Sequence, residues 1–192
     1  MSSILLTRKC LQKNCLTIVL RFYGFRVRSI NITSKALTTF AGTNTDISTY
    51  STSTTPPVGS DHNRGYGMRF KSTEIGTSPK FDFNPDGELI IASTKKELMK
   101  VNSDGILVRL AGGIGSGGYQ NNVPAIYGNM DYPYDIAIDG NGDIYWTEKD
   151  VHLIKKLEVS TGLMKIVAGN YTISGYSPDG TLAVNSNLNS PQ

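Results

Sequence analysis

Leu163-Met-Lys-Ile-Val-Ala-Gly169 is the third appearance of one pattern. Ile106-Leu-Val-Arg-Leu-Ala-Gly112 and Ala36-Leu-Thr-Thr-Phe-Ala-Gly42 precede it. Each run carries apolar residues around a basic residue or threonines and closes on Ala-Gly. A motif that returns three times means that the chain is built from copies of one unit, and the unit has to be found before single residues are read.

Residues 79–111 and 133–168 are two such copies. Phe81 falls on Ile136, Gly87 on Gly142, Leu89 on Ile144, Lys100 on Lys156 and Gly105 on Gly162. Alternating apolar residues, Phe81 with Phe83 and Ile136 with Ile138, predict a first strand. Pro85-Asp86-Gly87 and Gly140-Asn141-Gly142 predict tight turns, because Gly and Asn tolerate the positive φ that hairpins demand. Second strands are predicted at Leu89–Ala92 and Ile144–Thr147, third strands at Leu98–Val101 and Leu153–Leu157. A Gly-containing turn then leads into the fourth strand, which ends at Ala-Gly. No segment carries a helical period. Short strands with evenly spaced Gly-rich turns predict an all-β protein of four-stranded antiparallel units.

Arg26 to Ala41 lies on Leu153 to Ala168 without a gap. Residues 14–42 are therefore read as a partial unit holding the last three strands, and residues 1–13 stay unassigned, either a targeting segment or a truncated copy. The remaining divisions are a Ser/Thr/Pro-containing loop at 43–78, a unit at 79–112, a connection at 113–132, a unit at 133–169, and at 170–192 a connection followed by the start of a further unit. Leu188-Asn-Ser-Pro191 there repeats Met130-Asp-Tyr-Pro133.

The 192 residues carry a formal net charge of +3, but it is unevenly placed. Residues 1–45 hold seven basic side chains and no acid, whereas the rest has 12 basic against 16 acidic residues. An acidic main body is poorly suited to clamping phosphates, which argues against a nucleic-acid partner. Cys10 and Cys15 are too few for a disulfide framework or a four-cysteine zinc site. No apolar run approaches the roughly 20 residues of a membrane-spanning helix.

The ordered series resembles NHL-repeat β-propellers. Its carriers are Arg26-Val-Arg-Ser-Ile30, Ile138-Asp-Gly-Asn-Gly-Asp-Ile-Tyr145, Ile154-Lys-Lys-Leu157, Ser160 through Gly169, Ser174-Gly-Tyr-Ser-Pro-Asp-Gly180 and Leu188-Asn-Ser-Pro191. The resemblance covers about residues 14–192. Tyr145-Trp-Thr-Glu148 is also similar to the YWTD propellers, but that motif occurs once. The first resemblance implies a ring of four-stranded blades serving as a platform for protein or RNA ligands and, in a few members, as an enzyme. The units counted here make a partial β-propeller, an incomplete ring. A sheet with two apolar faces needs a neighbour on each. The chain is accordingly expected to be a fragment or one part of a larger assembly, its missing blades supplied by a longer chain or by self-association.

No catalytic, cofactor-binding or metal-binding residue is assigned. Asp139, Asn141, Asp143 and Asp150 have calcium-loop spacing, but the sixth place is Ile144 inside a predicted strand, so a hairpin turn is the better account. His62 and His152, the only histidines, cannot make a three-histidine zinc site; His152 is placed on a strand. Gly112 to Gly118 lacks the Lys-Ser/Thr of a phosphate loop. Trp146 and the tyrosines are read as packing between blades. Asn31 and Asn170 begin glycosylation sequons. The expected function is a protein-interaction module whose protein or peptide ligand meets the connections at 43–78, 113–132 and 170–190. The alternative is part of a propeller hydrolase or lyase, of lactonase-like or peptide-amidating type, with a metal held by carboxylates at the ring centre.

Overall fold

The computed structural model describes residues 6–8, 16–21, 26–31, 36–41, 79–102, 106–112 and 119–192. Its strands form antiparallel sheets, and no α-helix occurs among the described residues. The first sheet has the order β1 (Leu6–Arg8), β2 (Leu16–Arg21), β3 (Arg26–Asn31), β4 (Leu37–Ala41). The second runs β5 (Lys80–Phe83), β6 (Leu89–Ser93), β7 (Glu97–Val101), β8 (Leu107–Gly112). The third comprises β9 (Val123–Pro124), β10 (Pro133–Ile138), β11 (Ile144–Glu148), β12 (Leu153–Glu158) and β13 (Leu163–Ala168), in the order β10-β11-β12-β13-β9. Apart from β9, strands that follow one another within a sheet lie side by side, the up-and-down arrangement of propeller blades. The chain is all-β, a partial β-propeller of antiparallel blades.

By compactness the chain divides into two units. One carries β1–β4 together with Val101–Val108; the other is Pro79–Lys100 with Arg109–Gln192.

Within the first unit, the backbone repeats the third sheet at a constant offset of 127 residues. Thr17 pairs with Ile30 and Val19 with Arg28, as Ile144 pairs with Leu157 and Trp146 with Lys155. Even the irregularity recurs. The β3–β4 register shifts between Val27 and Arg28, the β12–β13 register between Ile154 and Lys155. Each shift leaves one extra residue on the outer strand, a β-bulge. The repeat has a first strand after all: β1 pairs with β2 through Leu6↔Val19 and Arg8↔Thr17. At three residues it is too short to announce itself by alternation.

The second unit builds its core between two blades. Ile90, Ala92, Leu98 and Ala111 from one side meet Ile144, Trp146, Leu157 and Met164 from the other, with Ala125 and Met130 of the connection between them. Trp146 is thus packing, as expected. Along β11 and β12 buried and half-buried residues alternate, the period of a strand with one covered face. β6 instead is buried at all five positions.

The Ala-Gly signature has a steric origin. Gly112 and Gly169 take φ of +75° and +97°. A Cβ on Gly112 would run into the carbonyl oxygen of Lys96, and one on Gly169 into that of His152. Lys96 and His152 are themselves left-handed, at φ 64° and 59°, in the turns before the third strands. Only glycine lets the chain leave the fourth strand so close to that turn. His152 therefore sits in a turn, not on a strand, which corrects the sequence reading.

Candidate functional site

The hairpin turns explain the calcium-like spacing. Asp139 Oδ1 accepts N–H bonds from Asn141 (2.9 Å) and Asp143 (3.0 Å), and the Gly142 N–H donates to the Asp139 carbonyl (3.0 Å). Asn84 plays the same part in the preceding blade, accepting from the Glu88 N–H at 2.7 Å while Gly87 N–H donates to its carbonyl at 2.9 Å. The Asp143 carboxylate is committed to Lys156 Nζ (2.8 Å) and the Val159 N–H (2.9 Å). These are turn-capping groups. Among the described residues no three His, Cys, Asp or Glu side chains are grouped to hold a metal ion. His62, Cys10, Cys15 and residues 113–118 lie outside the described residues.

One end of the second unit gathers aromatic and cationic side chains. Tyr134 stands near the start of β10 and is 40% exposed. Its ring has Lys80 Nζ at 5.2 Å and Lys149 Nζ at 4.9 Å from the centroid. Beside it, Lys96 Nζ lies 4.4 Å from the Tyr132 ring centroid and 3.0 Å from Asp131 Oδ1. Ammonium groups so placed are attracted to the ring faces. Among the described residues no carboxylate forms an ion pair with Lys80 or Lys149. Of the connections named from sequence, 113–132 contributes Asp131 and Tyr132 here. The lysines come from strand ends and turns, and nothing in their spacing along the chain signals that they converge.

At the other end, a cleft of about 520 Å³ opens between the β5–β6 and β10–β11 turns. Ile90, Leu110, Ile144 and Leu157 make its apolar wall. The Glu88–Lys100 pair (3.0 Å) lines it, and the Asn84 amide donates to Glu88 at 2.8 Å. Sequence reading named none of this cleft, since its walls come from two copies of the unit.

On the outer face of the third sheet the same cross-strand pair recurs as Asp143–Lys156, extended by Glu158 and Lys165 (2.6 Å). The Lys156 hydrogen bond holds the Asp143 carboxyl below its ordinary value, and the same bond raises Lys156. Hydrogen bonds from Lys165 and then Thr161 hold Glu158 down to about 2. Burial pushes the Tyr145 hydroxyl up; that hydroxyl donates to Asp139 Oδ2 at 3.3 Å. Asn170 uses its amide within the fold, donating to Asn187 Oδ1 at 2.8 Å and to the Asn185 carbonyl at 3.3 Å.

Solved structures share this architecture. A protein of unknown function from Bacteroides thetaiotaomicron superposes with a TM-score of 0.65 at 13% identity, over 92% of this chain and 38% of its own. An auxiliary nutrient binding protein from the same organism gives 0.61 at 16% identity, over 93% of this chain and 39% of its own. Another from Bacteroides ovatus gives 0.61 at 16%, over 94% and 40%. Identities this low speak for the fold alone. The chain spans about two fifths of the length of these proteins. No family model and no curated protein matches it.

Proposed function

We propose that the chain is an NHL-type propeller segment that binds a protein or peptide ligand at the Tyr132–Tyr134 end of its blade pair. The observation that carries this is the flanking of exposed Tyr134 by two lysines that no carboxylate of the described residues neutralises. Tyrosine offers a large, stiff contact surface at small entropic cost, and tyrosine is enriched where proteins meet. Tyr119, Tyr127 and Tyr176 on the connections are exposed as well. The partner chemistry is a segment that presents acidic side chains beside apolar or aromatic ones.

Selection of a displayed random-peptide library against the full chain tests the reading. Enriched peptides should be acidic and aromatic, and their affinity should fall about tenfold or more on Tyr134→Ala or Lys149→Ala, as for a central interface residue. Peptides indifferent to both substitutions would sink it. Calcium or zinc held tightly and in stoichiometric amount would favour the hydrolase or lyase reading instead.

A further inference from the structure

Residues 119–132 of the connection run between the two blades of the second unit, with Val123, Ala125 and Met130 in their shared core. Its 3₁₀ turn, Ala125–Tyr127, is entered from Pro124 (φ −55°, ψ 121°) and left through Gly128 (φ −74°, ψ 144°). Ala183–Asn185 repeats this turn 58 residues later, between Leu182 (φ −58°, ψ 132°) and Ser186 (φ −82°, ψ 147°). Each connection also grips the blade before it in the same way. Asp131 and Tyr132 meet Lys96; Ser190, 58 residues beyond Tyr132, donates its N–H to His152 Nδ1 at 3.1 Å. Lys96 and His152 are the equivalent left-handed turn residues.

The two connections differ on their other side. Ala125 is 1% exposed, packed in the core with Ile144 and Met164 of the following blade. Its N–H donates to the Gly162 carbonyl at 2.9 Å, and Val123–Pro124 add to β13 as a fifth strand. Ala183, at the equivalent place of the second connection, is exposed, as are all residues of its 3₁₀ turn. A blade covers the first connection there, and among the described residues none covers the second.

We propose that Thr181–Val184, with the outer face of β10–β13, docks the β1–β4 sheet of a second copy of this chain. The registers choose the occupant. What buries Ala125 is the β10–β13 sheet, and β1–β4 reproduces its backbone pairing from β2 onward, bulge included. Pro124 and Val123 add beside Leu163 and Met164. On that template Thr181 adds beside Leu37, the first residue of β4, which ends its own sheet. A contact between unlike surfaces runs head to tail and closes when its rotation permits. This inference concerns assembly and is independent of the peptide-binding reading.

Sedimentation velocity of the full chain over a wide concentration range reads the assembly. The expected mass is two chains or more. Ala183→Glu, at an exposed position and so compatible with folding, should weaken association about a hundredfold (about 2.8 kcal/mol). For geometry, a chain with Thr181→Cys is mixed with one carrying Leu37→Cys, both with Cys10→Ser and Cys15→Ser. A mixed disulfide between the two chains is expected, since opposed strand residues lie within disulfide reach. A single-chain mass at every concentration, association unmoved by Ala183→Glu, or no mixed disulfide would each overturn the proposal.

Discussion

Lys155 Nζ lies 3.0 Å from Glu148 Oε2, and the two side chains are 0% and 1% exposed. The pair sits on the face of β11 and β12 that packs against the neighbouring blade. Trp146 Nε1 donates to Glu148 Oε1 at 2.9 Å, and Lys155 also reaches the Asn129 carbonyl at 3.3 Å. Both charges are thus satisfied locally, which is what burial requires of them. Removing one partner strands the other. Lys155→Met should lower unfolding free energy in a urea titration by about 3–5 kcal/mol. Combining it with Glu148→Gln, which keeps an acceptor for Trp146, should recover much of that loss.

The closing glycines make a second test. Gly169→Ala forces both a left-handed alanine and a collision with the His152 carbonyl. Gly162, at φ +69° with nothing within 4 Å of a built Cβ, isolates the first cost. Gly162→Ala should cost about 1–2 kcal/mol, the ordinary penalty of the left-handed region. Gly169→Ala should cost clearly more, read as the difference in urea midpoint at equal slope.

Acid should loosen the outer face of the third sheet. Glu158 is held down to about 2 against an ordinary 4.5, first by Lys165. A carboxylate whose folded value is depressed lends stability that is complete above its unfolded value and is lost as pH falls through the folded one. The window therefore runs from about 4.5 down to about 2. Asp143 acts in the same direction. Lys156, raised by the same pair, contributes below its ordinary 10.5 and loses that contribution at higher pH. Glu158→Gln should flatten the melting-temperature profile between pH 4.5 and 2; an unchanged profile would contradict the bonding seen at Glu158.

Calcium should leave the melting temperature unchanged, because the Asp139 and Asp143 carboxylates already serve the hairpin and Lys156. Asp139→Ala should instead destabilise the protein with or without calcium, by about 1–2 kcal/mol for the loss of two turn bonds. A calcium-induced rise that disappears in Asp139→Ala would restore the metal reading.

The repeat was legible because its cause is steric and recurs in each copy. Ala-Gly marks a glycine under a turn carbonyl, and Asn84 and Asp139 mark the same hairpin, so these signals survive where side chains elsewhere diverge. Strand positions followed from them: Leu89 and Ile144 open β6 and β11 as predicted. What stayed hidden depends on contacts between copies. β9 has only two residues, and its pairing with Leu163 and Met164 is remote in sequence. Lys155 occupies an inward position where a strand pattern calls for an apolar residue, and only Glu148 across the sheet explains it. The meeting of Lys80 and Lys149 over Tyr134 joins separate strand ends and has no signature in any one segment.

The bulge in β13 fixes the phase of everything after it. Ala168 pairs with Ile154 while Ile166 pairs with Lys155, leaving Val167 as the surplus residue. That surplus is what carries Gly169 to the His152 carbonyl. Losing Val167 would draw the glycine one step back along the ladder, exchange inward for outward positions beyond it, and detach the blade's last strand from the turn that anchors it. Length changes are therefore tolerable in the connections but not within Leu163–Gly169, and drift among copies of this unit should accumulate in the former and stop at the latter.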